Sequence, residues 1–171
     1  LAGISGGMLN YPFSIVVDPA GKLYVADSAN HRINRYDAAS GAYLGSIGRV
    51  AIAGGNCATI GPTASWCSGA TFGMESTDGA FNSPNGLALD ATTDSLYVAD
   101  SSNHRLSQYT LSTGAFVGSL GKTSASNGSC PSGSAALRWC RGGVFVADST
   151  DGGYTFPRSI ALAPDGGFVV M

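Results

Sequence analysis

The feature that most constrains the fold of this chain is a stretch of eleven residues that occurs twice. Residues 23–33 read LYVADSANHRI and residues 96–106 read LYVADSSNHRL, so nine of the eleven positions are identical. The two copies lie 73 residues apart. An internal repeat of this period is typical of repetitive architectures, so we expect similar units that pack against their neighbours in the chain.

Each copy of this stretch predicts a β-hairpin. An apolar, β-prone run leads into turn residues, and a second β-prone run begins at the arginine that follows the turn. Asp27 stands at the entrance of the turn, where its carboxylate is expected to accept hydrogen bonds from the turn's own N–H groups. Asn30 is expected to tolerate a left-handed backbone. We expect the Arg32 guanidinium to pair with a carboxylate, either that of Asp27 or that of its equivalent in the next copy.

Composition favours an all-β fold. The chain has 25 glycines, only 12% of its residues are charged, and no segment shows a convincing helical period of apolar residues. The formal net charge of −2 provides no basic surface for nucleic acid or for an anionic membrane. No apolar run approaches the length of a membrane span. We therefore expect neither a nucleic-acid partner nor direct insertion into a membrane.

Four strands are predicted in each unit. A glycine turn and a proline open the first strand, whose continuous apolar run (residues 15–17 in the first unit) is expected to be buried on both faces. The hairpin supplies the second and third strands. Ile33 and Tyr36 are three residues apart, which breaks simple alternation and indicates a bulge in the third strand. A fourth strand closes the unit at residues 43–48 and again at 116–121.

This order of elements resembles the NHL repeat, in which a proline-led apolar strand is followed by Leu-Tyr-Val-Ala-Asp-Ser-x-Asn-His-Arg and an aliphatic residue. The resemblance implies β-propeller blades of four antiparallel strands. It predicts a first blade at about 11–48, a second at about 81–121 and a partial third at about 154–171. Both ends of the chain cut across the repeat, so we expect a longer protein. The structural motif residues of the two hairpins are Asp27, Asn30, His31, Arg32, Asp100, Asn103, His104 and Arg105.

The period of 73 residues is longer than that of a usual NHL blade, and the extra residues form an insertion in each unit. The insertions span about 49–73 and 122–146, and each has two cysteines ten residues apart with a tryptophan before the second. We predict disulfides Cys57–Cys67 and Cys130–Cys140, which would stabilise these polar loops and indicate an extracellular or luminal protein. The alternatives are free thiols or a metal site, although zinc requires four close ligands and each insertion provides two.

Two other features lie near the second insertion. Asn127-Gly128-Ser129 is a glycosylation sequon, and Asn127 is a candidate glycosylation site. The segment 145–149 (FVADS) imitates the hairpin motif, but it aligns with residues 72–76 of the first copy and we interpret it as a coincidence. Both insertions are expected to stand at one side of their blades and to enlarge the surface there.

The sequence indicates no catalytic residue, cofactor or metal. His31 and His104 could be metal ligands or general bases, as in some propeller enzymes, but their place in a repeated motif favours a structural role between blades. Our first hypothesis is a non-enzymatic extracellular scaffold, part of a larger cell-surface or appendage assembly. It would bind protein or glycan partners or other parts of the same assembly. The alternative is a propeller enzyme, a metal-dependent lyase or a lactonase-like hydrolase with an axial site.

Overall fold

The computed structural model describes residues 6–136, 138–163 and 167–171, with the backbone alone at Phe168 and Val169. These residues form an all-β structure of three successive units and two insertions. Unit 1 contains β1 (Pro12–Val17), β2 (Lys22–Asp27), β3 (Arg32–Asp37) and β4 (Tyr43–Ile52). Unit 2 contains β7 (Pro84–Asp90), β8 (Ser95–Asp100), β9 (Arg105–Thr110) and β10 (Phe116–Leu120). Unit 3 contains β13 (Ile160–Leu162) and β14 (Phe168–Val170).

Each insertion contributes two short strands. Insertion 1 (49–73) contains β5 (Gly61–Pro62) and β6 (Thr71–Gly73), and insertion 2 (122–146) contains β11 (Thr123–Ser126) and β12 (Gly143–Phe145). A short 3-10 turn joins the two hairpin strands of each complete unit, at Ser28–Asn30 and Ser101–Asn103. Among the described residues, no helix is both long and apolar enough to cross a membrane.

The strands of each complete unit form an antiparallel meander. Unit 1 has the order β1-β2-β3-β4, and both β5 and β6 add to β4. Unit 2 has the order β7-β8-β9-β10. Because β4 continues to Ile52, the fourth strand runs past the expected boundary at residue 48 and into insertion 1. The insertion is therefore continuous with the sheet of its unit.

The predicted bulge lies on a different strand from the one expected. Arg35 pairs with Gly45 and Tyr36 pairs with Tyr43, so the extra residue is Leu44 on β4 and not a residue of β3. The register shifts at the same place in unit 2, where Val117 of β10 is the extra residue. The fourth strand absorbs the irregularity because β3 pairs without interruption with β2 on its other edge.

The units pack in series, each with a face against the next. The first strands β1 and β7 are in contact, and β7 is in contact with β13. The main core lies between units 1 and 2. It contains Tyr24, Ala26, Ile33, Ile47, Trp66, Phe81, Leu87, Leu96, Val98, Tyr109 and Leu111. Since this core draws on both units, neither sheet buries its apolar face alone.

Trp66 of insertion 1 is part of this core and joins the two units. Its ring packs on Tyr24 with 5.5 Å between centroids, and its Nε1 donates to the carbonyl oxygen of Leu111 in unit 2 at 3.0 Å. In insertion 2, Trp139 stacks on Tyr97 at 5.7 Å. The insertions therefore do more than enlarge the surface, because each one contributes an aromatic side chain to the packing between units.

The first strand of unit 1 is not buried on both faces, contrary to the prediction. Phe13, Ile15 and Val17 are 65%, 62% and 54% exposed, whereas Leu87 in the equivalent strand of unit 2 is buried. Unit 1 covers the face on which Leu87 lies. Among the described residues, no unit covers the corresponding face of unit 1. The apolar run thus identified a packing face correctly, but burial of that face depends on a neighbouring unit.

The position of Trp66 predicts a large contribution to stability. Trp66→Ala should lower the free energy of unfolding by about 3–5 kcal/mol, because it leaves a cavity between units and removes a hydrogen bond. Ile60→Ala, in the same insertion but 67% exposed, should change it by less than about 0.5 kcal/mol. Urea unfolding with the disulfides intact measures both values. Equal effects of the two variants would show that Trp66 does not join the units.

Candidate functional site

The motif residues of unit 1 form a buried polar cluster, which we call hairpin knot 1: Asp27, Asn30, Arg32 and Asn34. Asp27 and Arg32 are fully buried, and the Arg32 Nε donates to the Asp27 carboxylate at 2.8 Å. Asn30 and Asn34 donate to the same Asp27 oxygen at 2.9 and 3.2 Å. The expected pairing of Arg32 with Asp27 is therefore confirmed, within one hairpin.

Unit 2 has the equivalent cluster, hairpin knot 2: Asp100, Asn103, Arg105 and Ser107. The Arg105 Nε and the Asn103 Nδ2 each donate to Asp100 at 2.8 Å, and Asp100 and Arg105 are fully buried. The rest of the Arg105 guanidinium donates to three backbone carbonyls of the segment before β7, those of Ser76, Thr77 and Ala80. The arginine thus fixes the glycine turn that leads into its own unit.

The aspartate of each knot bonds to a different partner from the one predicted. The Asp27 side chain does not cap the backbone N–H groups of the 3-10 turn that follows it. Its second oxygen instead accepts from the backbone N–H of Asn10 at 2.6 Å, and Asp100 accepts from that of Asn82 at 2.8 Å. Each knot therefore ties its hairpin to the loop before the first strand, a contact between residues distant in sequence.

The left-handed residue of the turn is also different. His31 and His104 adopt φ values of 54° and 53°, whereas the preceding asparagines lie within the 3-10 turn. The asparagine is in the motif because its side chain bonds to the aspartate, and not because its backbone is left-handed.

Phenylalanines from the insertions cover the arginines of the knots. The guanidinium of Arg32 lies 5.7 Å from the ring centroid of Phe72, and that of Arg105 lies 5.7 Å from that of Phe145. The equivalence of residues 145–149 with residues 72–76, inferred from alignment, is therefore visible in the packing. A glycine at position 48 makes room for the ring, because a Cβ there would lie 2.8 Å from the His31 carbonyl oxygen and 3.1 Å from Phe72.

The two knots differ at one position that the sequence analysis did not single out. In unit 1 the Asn34 amide donates to the hydroxyl of Tyr36 at 3.1 Å and accepts from Ser46 at 2.5 Å. Ser107 replaces this asparagine in unit 2, and its hydroxyl shares a hydrogen bond with that of Ser119 at 3.0 Å. Within the described residues the buried Tyr109 hydroxyl has no hydrogen-bond partner. Comparing the third strands of the two copies would have revealed this difference, because Asn34 and Ser107 align.

A second set of contacts joins each hairpin to the following unit. His31 Nδ1 accepts from the backbone N–H of Ser83 at 3.1 Å, and the Ser28 hydroxyl donates to the carbonyl of Pro84. In the next copy, His104 Nδ1 accepts from Phe156 at 3.3 Å and Ser101 donates to Pro157. We call these contacts the inter-unit clasps. They place both histidines between units, as the structural interpretation predicted.

The clasp requires a neutral imidazole, because a protonated Nδ1 cannot accept a hydrogen bond. Burial lowers the pKa of His31, against the carboxylates of Asp100 and Asp27, which raise it. The native His31 therefore takes up a proton less readily than the unfolded chain does.

Both predicted disulfides are confirmed, and together they use all four cysteines. Cys57 is bonded to Cys67 and Cys130 to Cys140. The second cysteine of each pair bonds through its backbone to the fourth strand, since the amide of Cys67 donates to Ser46 at 3.0 Å and that of Cys140 to Ser119 at 3.1 Å. Closing a loop of this size contributes about 3 kcal/mol in the chain-entropy account. The disulfide thus fixes the loop that carries the tryptophan to the next unit.

Asn127 lies at the exposed end of insertion 2. Its side chain is exposed, and its backbone N–H donates to the carbonyl of Gly142 at 2.9 Å. The Ser129 hydroxyl of the same sequon accepts from the backbone N–H of Arg141 at 2.9 Å. The structure therefore places the candidate glycosylation site on the surface.

Two further acidic residues of the repeat, Asp18 and Asp90, lie at the turns that follow the first strands of units 1 and 2. In the part of the chain that the structure describes, no group of three or more histidine, cysteine, aspartate or glutamate side chains is arranged to hold a metal ion. Asp18 and Asp90 serve as turn acceptors, for the backbone N–H groups of Lys22 and Thr92 respectively, each at 2.8 Å. The acidic residues of the repeat thus bond to neighbouring groups in each unit.

Comparison with known proteins identifies the repeat. A family model described as NHL repeat matches residues 9–36 and 81–109. NHL repeat-containing protein 2 of Gallus gallus is 36% identical over 115 residues, which cover 66% of this chain and 13% of that protein. The protein of the same name from Bos taurus is 32% identical over 106 residues, covering 61% of this chain and 12% of that protein. The chain thus spans about an eighth of the length of these relatives.

Hairpin knot 2 predicts a strong dependence of stability on Arg105. Arg105→Met should lower the free energy of unfolding by about 3–5 kcal/mol, because it leaves the Asp100 carboxylate buried without its ion pair. Lys22→Met removes a cation from the half-exposed Lys22–Asp37 pair and should cost at most about 1 kcal/mol. Guanidinium unfolding of both variants measures the difference. An Arg105→Met variant as stable as Lys22→Met would exclude the knot as the anchor of the unit.

The inter-unit clasp predicts a loss of stability in mild acid. The unfolded chain binds the proton of His31 more readily, so the contribution of the clasp is complete above about pH 6.5 and falls as the pH drops through the lower native pKa. His31→Asn keeps a residue that tolerates the left-handed backbone but does not titrate. Urea unfolding between about pH 7 and pH 5 should show a shallower decline for this variant. Parallel declines in the two proteins would contradict the role of His31.

Proposed function

We propose that this chain, two segments of which match the NHL repeat, is a segment of a β-propeller that acts as a non-enzymatic, extracellular interaction scaffold. Units 1 and 2 are its two complete blades, unit 3 is part of a third, and further repeats close the ring. Its partners are proteins or glycans, or other parts of a larger cell-surface or appendage assembly.

The way in which the units pack supports the propeller. Each complete unit is a four-stranded antiparallel meander, and the first strands of successive units lie next to one another, β1 beside β7 and β7 beside β13. Adjacent first strands and face-to-face sheets are the arrangement of neighbouring blades around a central axis. The clasps of His31 and His104 join successive units through equivalent atoms, so the same kind of contact joins unit 1 to unit 2 and unit 2 to unit 3.

The observation that carries the proposed location is the disulfide that recurs at the same place in both units. Two disulfides that close equivalent loops of the repeat are typical of a protein that folds in an oxidising compartment. The exposed Asn127 of the sequon in insertion 2 agrees with this compartment. A bulky, solvating glycan there would stand on the surface of the unit.

The polar groups of the repeat support a structural role in preference to catalysis. The carboxylates of Asp27 and Asp100 are fully buried and paired with arginines. The histidines bond to the next unit through Nδ1. These groups hold the units together, so the function rests on the surface that the units present.

The exposed apolar residues near insertion 1 provide a surface for a protein partner. Ile52, Ile60 and Met74 are 66%, 67% and 65% exposed, on the segments around β5 and β6. Isolated exposed apolar residues are ordinary, but several in one region are typical of interaction sites. This region is therefore the first place to seek a partner contact.

A non-reducing peptide map of natively sourced protein, analysed by mass spectrometry with glycans retained, tests the proposed compartment. We expect Cys57 joined to Cys67, Cys130 joined to Cys140, and a glycan on Asn127. Asn56 is an internal control because it is exposed in insertion 1 but does not begin a sequon. It should be unmodified. Four free thiols with an unmodified Asn127 would contradict an extracellular scaffold.

A further inference from the structure

A concave, mainly apolar surface lies on unit 1, on the side away from unit 2. We call it the unit 1 groove. It encloses about 520 Å³ next to β1. Its lining residues include Leu9, Phe13, Ile15, Leu23, Val25, Tyr36, Ala38 and Gly41. Phe13 and Ile15 are mostly exposed, so the groove presents a continuous apolar surface to solvent.

Unit 2 has the same surface, and in unit 2 it is covered. The repeat aligns Leu9 with Phe81, Ile15 with Leu87, Leu23 with Leu96, Val25 with Val98, Tyr36 with Tyr109 and Ala38 with Leu111. All six of these unit 2 residues belong to the core between units 1 and 2. At these six positions, the unit 1 groove is therefore the counterpart of the face of unit 2 that unit 1 covers.

The covering group on unit 2 includes the tryptophan of insertion 1. Trp66 donates through Nε1 to the carbonyl of Leu111 and through its backbone N–H to that of Thr113, each at 3.0 Å. Both acceptors lie in the turn between β9 and β10. Gly114 of this turn lies directly beneath Trp66, since a Cβ there would be 3.0 Å from the indole Cδ1.

Unit 1 has the same turn with the same backbone geometry. Gly41 donates to the carbonyl of Asp37 at 2.8 Å, as Gly114 donates to that of Thr110 at 2.7 Å. The φ values of the two glycines are 72° and 78°. A Cβ on Gly41 would meet nothing within 4 Å. This turn therefore has the backbone shape of the turn on which Trp66 packs, but it faces solvent.

We propose that the unit 1 groove docks one further 73-residue repeat of the same polypeptide, ahead of unit 1, whose insertion places a tryptophan on the turn at Gly41. The indole N–H donates to the carbonyl of Ala38, as that of Trp66 donates to Leu111. A usual NHL blade without the insertion lacks this tryptophan, so the neighbouring unit is one that contains the insertion. This inference rests on the propeller proposed above and specifies which kind of blade precedes unit 1.

Chain direction selects this occupant over a second copy of the same chain. Unit 1 covers a face of unit 2, and unit 2 covers β13 of unit 3, so each unit is covered by the unit that precedes it in the chain. In a second copy, Trp66 already lies between units 1 and 2, and Trp139 is stacked on Tyr97. A preceding repeat has its tryptophan available for unit 1.

The test is a tandem chain in which a duplicate of residues 9–80 is placed before residue 9 of the full sequence, so that Ala80 of the duplicate is followed by Leu9 as it is naturally followed by Phe81. Acrylamide quenching of tryptophan fluorescence reports the exposure of the added tryptophan. Its signal is the difference in fluorescence between the tandem chain and a version of it with Trp66→Phe in the duplicate alone. We expect the added tryptophan to be protected as strongly as Trp66 in the original chain. We also expect the midpoint of unfolding of unit 1 to rise.

A pair of glycine substitutions in the receiving unit provides the matched control. Gly41→Asn places a side chain where the added tryptophan is proposed to pack, and asparagine tolerates the left-handed backbone. Gly21→Asn makes the same change at another open glycine of unit 1, with φ 75°, outside the groove. In the original chain both variants should leave stability unchanged. In the tandem chain Gly41→Asn should abolish protection of the added tryptophan, and Gly21→Asn should preserve it.

Two results would overturn the proposal. One is an added tryptophan that acrylamide quenches as readily as free N-acetyltryptophanamide. The other is an added tryptophan whose protection appears only on concentration-dependent association, which would assign the groove to a second copy. The test is independent of the compartment, because the tryptophan can dock in a protein whose peptide map contradicts an extracellular location. Failure of the docking and failure of the proposed function are thus distinguishable.

Discussion

The buried ion pair between the motif aspartate and arginine is the interaction on which the rest of each unit depends. A fully buried carboxylate and guanidinium are costly to desolvate, and the cost is offset only when every hydrogen-bonding position is satisfied. In unit 2 the Arg105 guanidinium meets this condition by bonding to Asp100 and to the backbone of the loop before β7. The pair therefore determines the path of the chain into the first strand as well as the hairpin itself.

The insertions complete the units, and they are not separate additions to them. Phe72 and Phe145 lie over the knot arginines, while Trp66 and Trp139 pack toward the following unit. The same loop thus serves the inside of its own unit and the junction with the next. The second cysteine of each disulfide lies between these two aromatic positions in the chain, and the disulfide closes the loop that bears the tryptophan. The insertion recurs with the motif because the motif arginine and the next unit both contact it.

Local chemistry allowed much of this arrangement to be predicted from the sequence. The hairpins, the four-stranded units, the pairing of Arg32 with Asp27 and both disulfides follow from short-range patterns and from the repeat. The predictions that were wrong concern groups whose partners are distant in sequence. Asp27 accepts from the backbone N–H of Asn10 and not from the backbone of its own turn, the bulge lies on β4, and Ile15 is exposed for want of a neighbouring unit. The burial of a repeat face depends on what the next repeat supplies, and that information lies outside the local pattern.

The short span of each disulfide has a consequence for how the protein is made. Each bond joins cysteines ten residues apart within one insertion. It can therefore close as soon as that insertion leaves the ribosome, before the cysteines of the next unit have been synthesised. Chains emerge from the N-terminus onward, so the loop bearing Trp66 can be rigid by the time the turn at Gly114 appears. Each finished unit then provides the surface against which the next unit folds. Because the cysteines of one insertion are already bonded when the next pair is synthesised, disulfides between repeats are avoided.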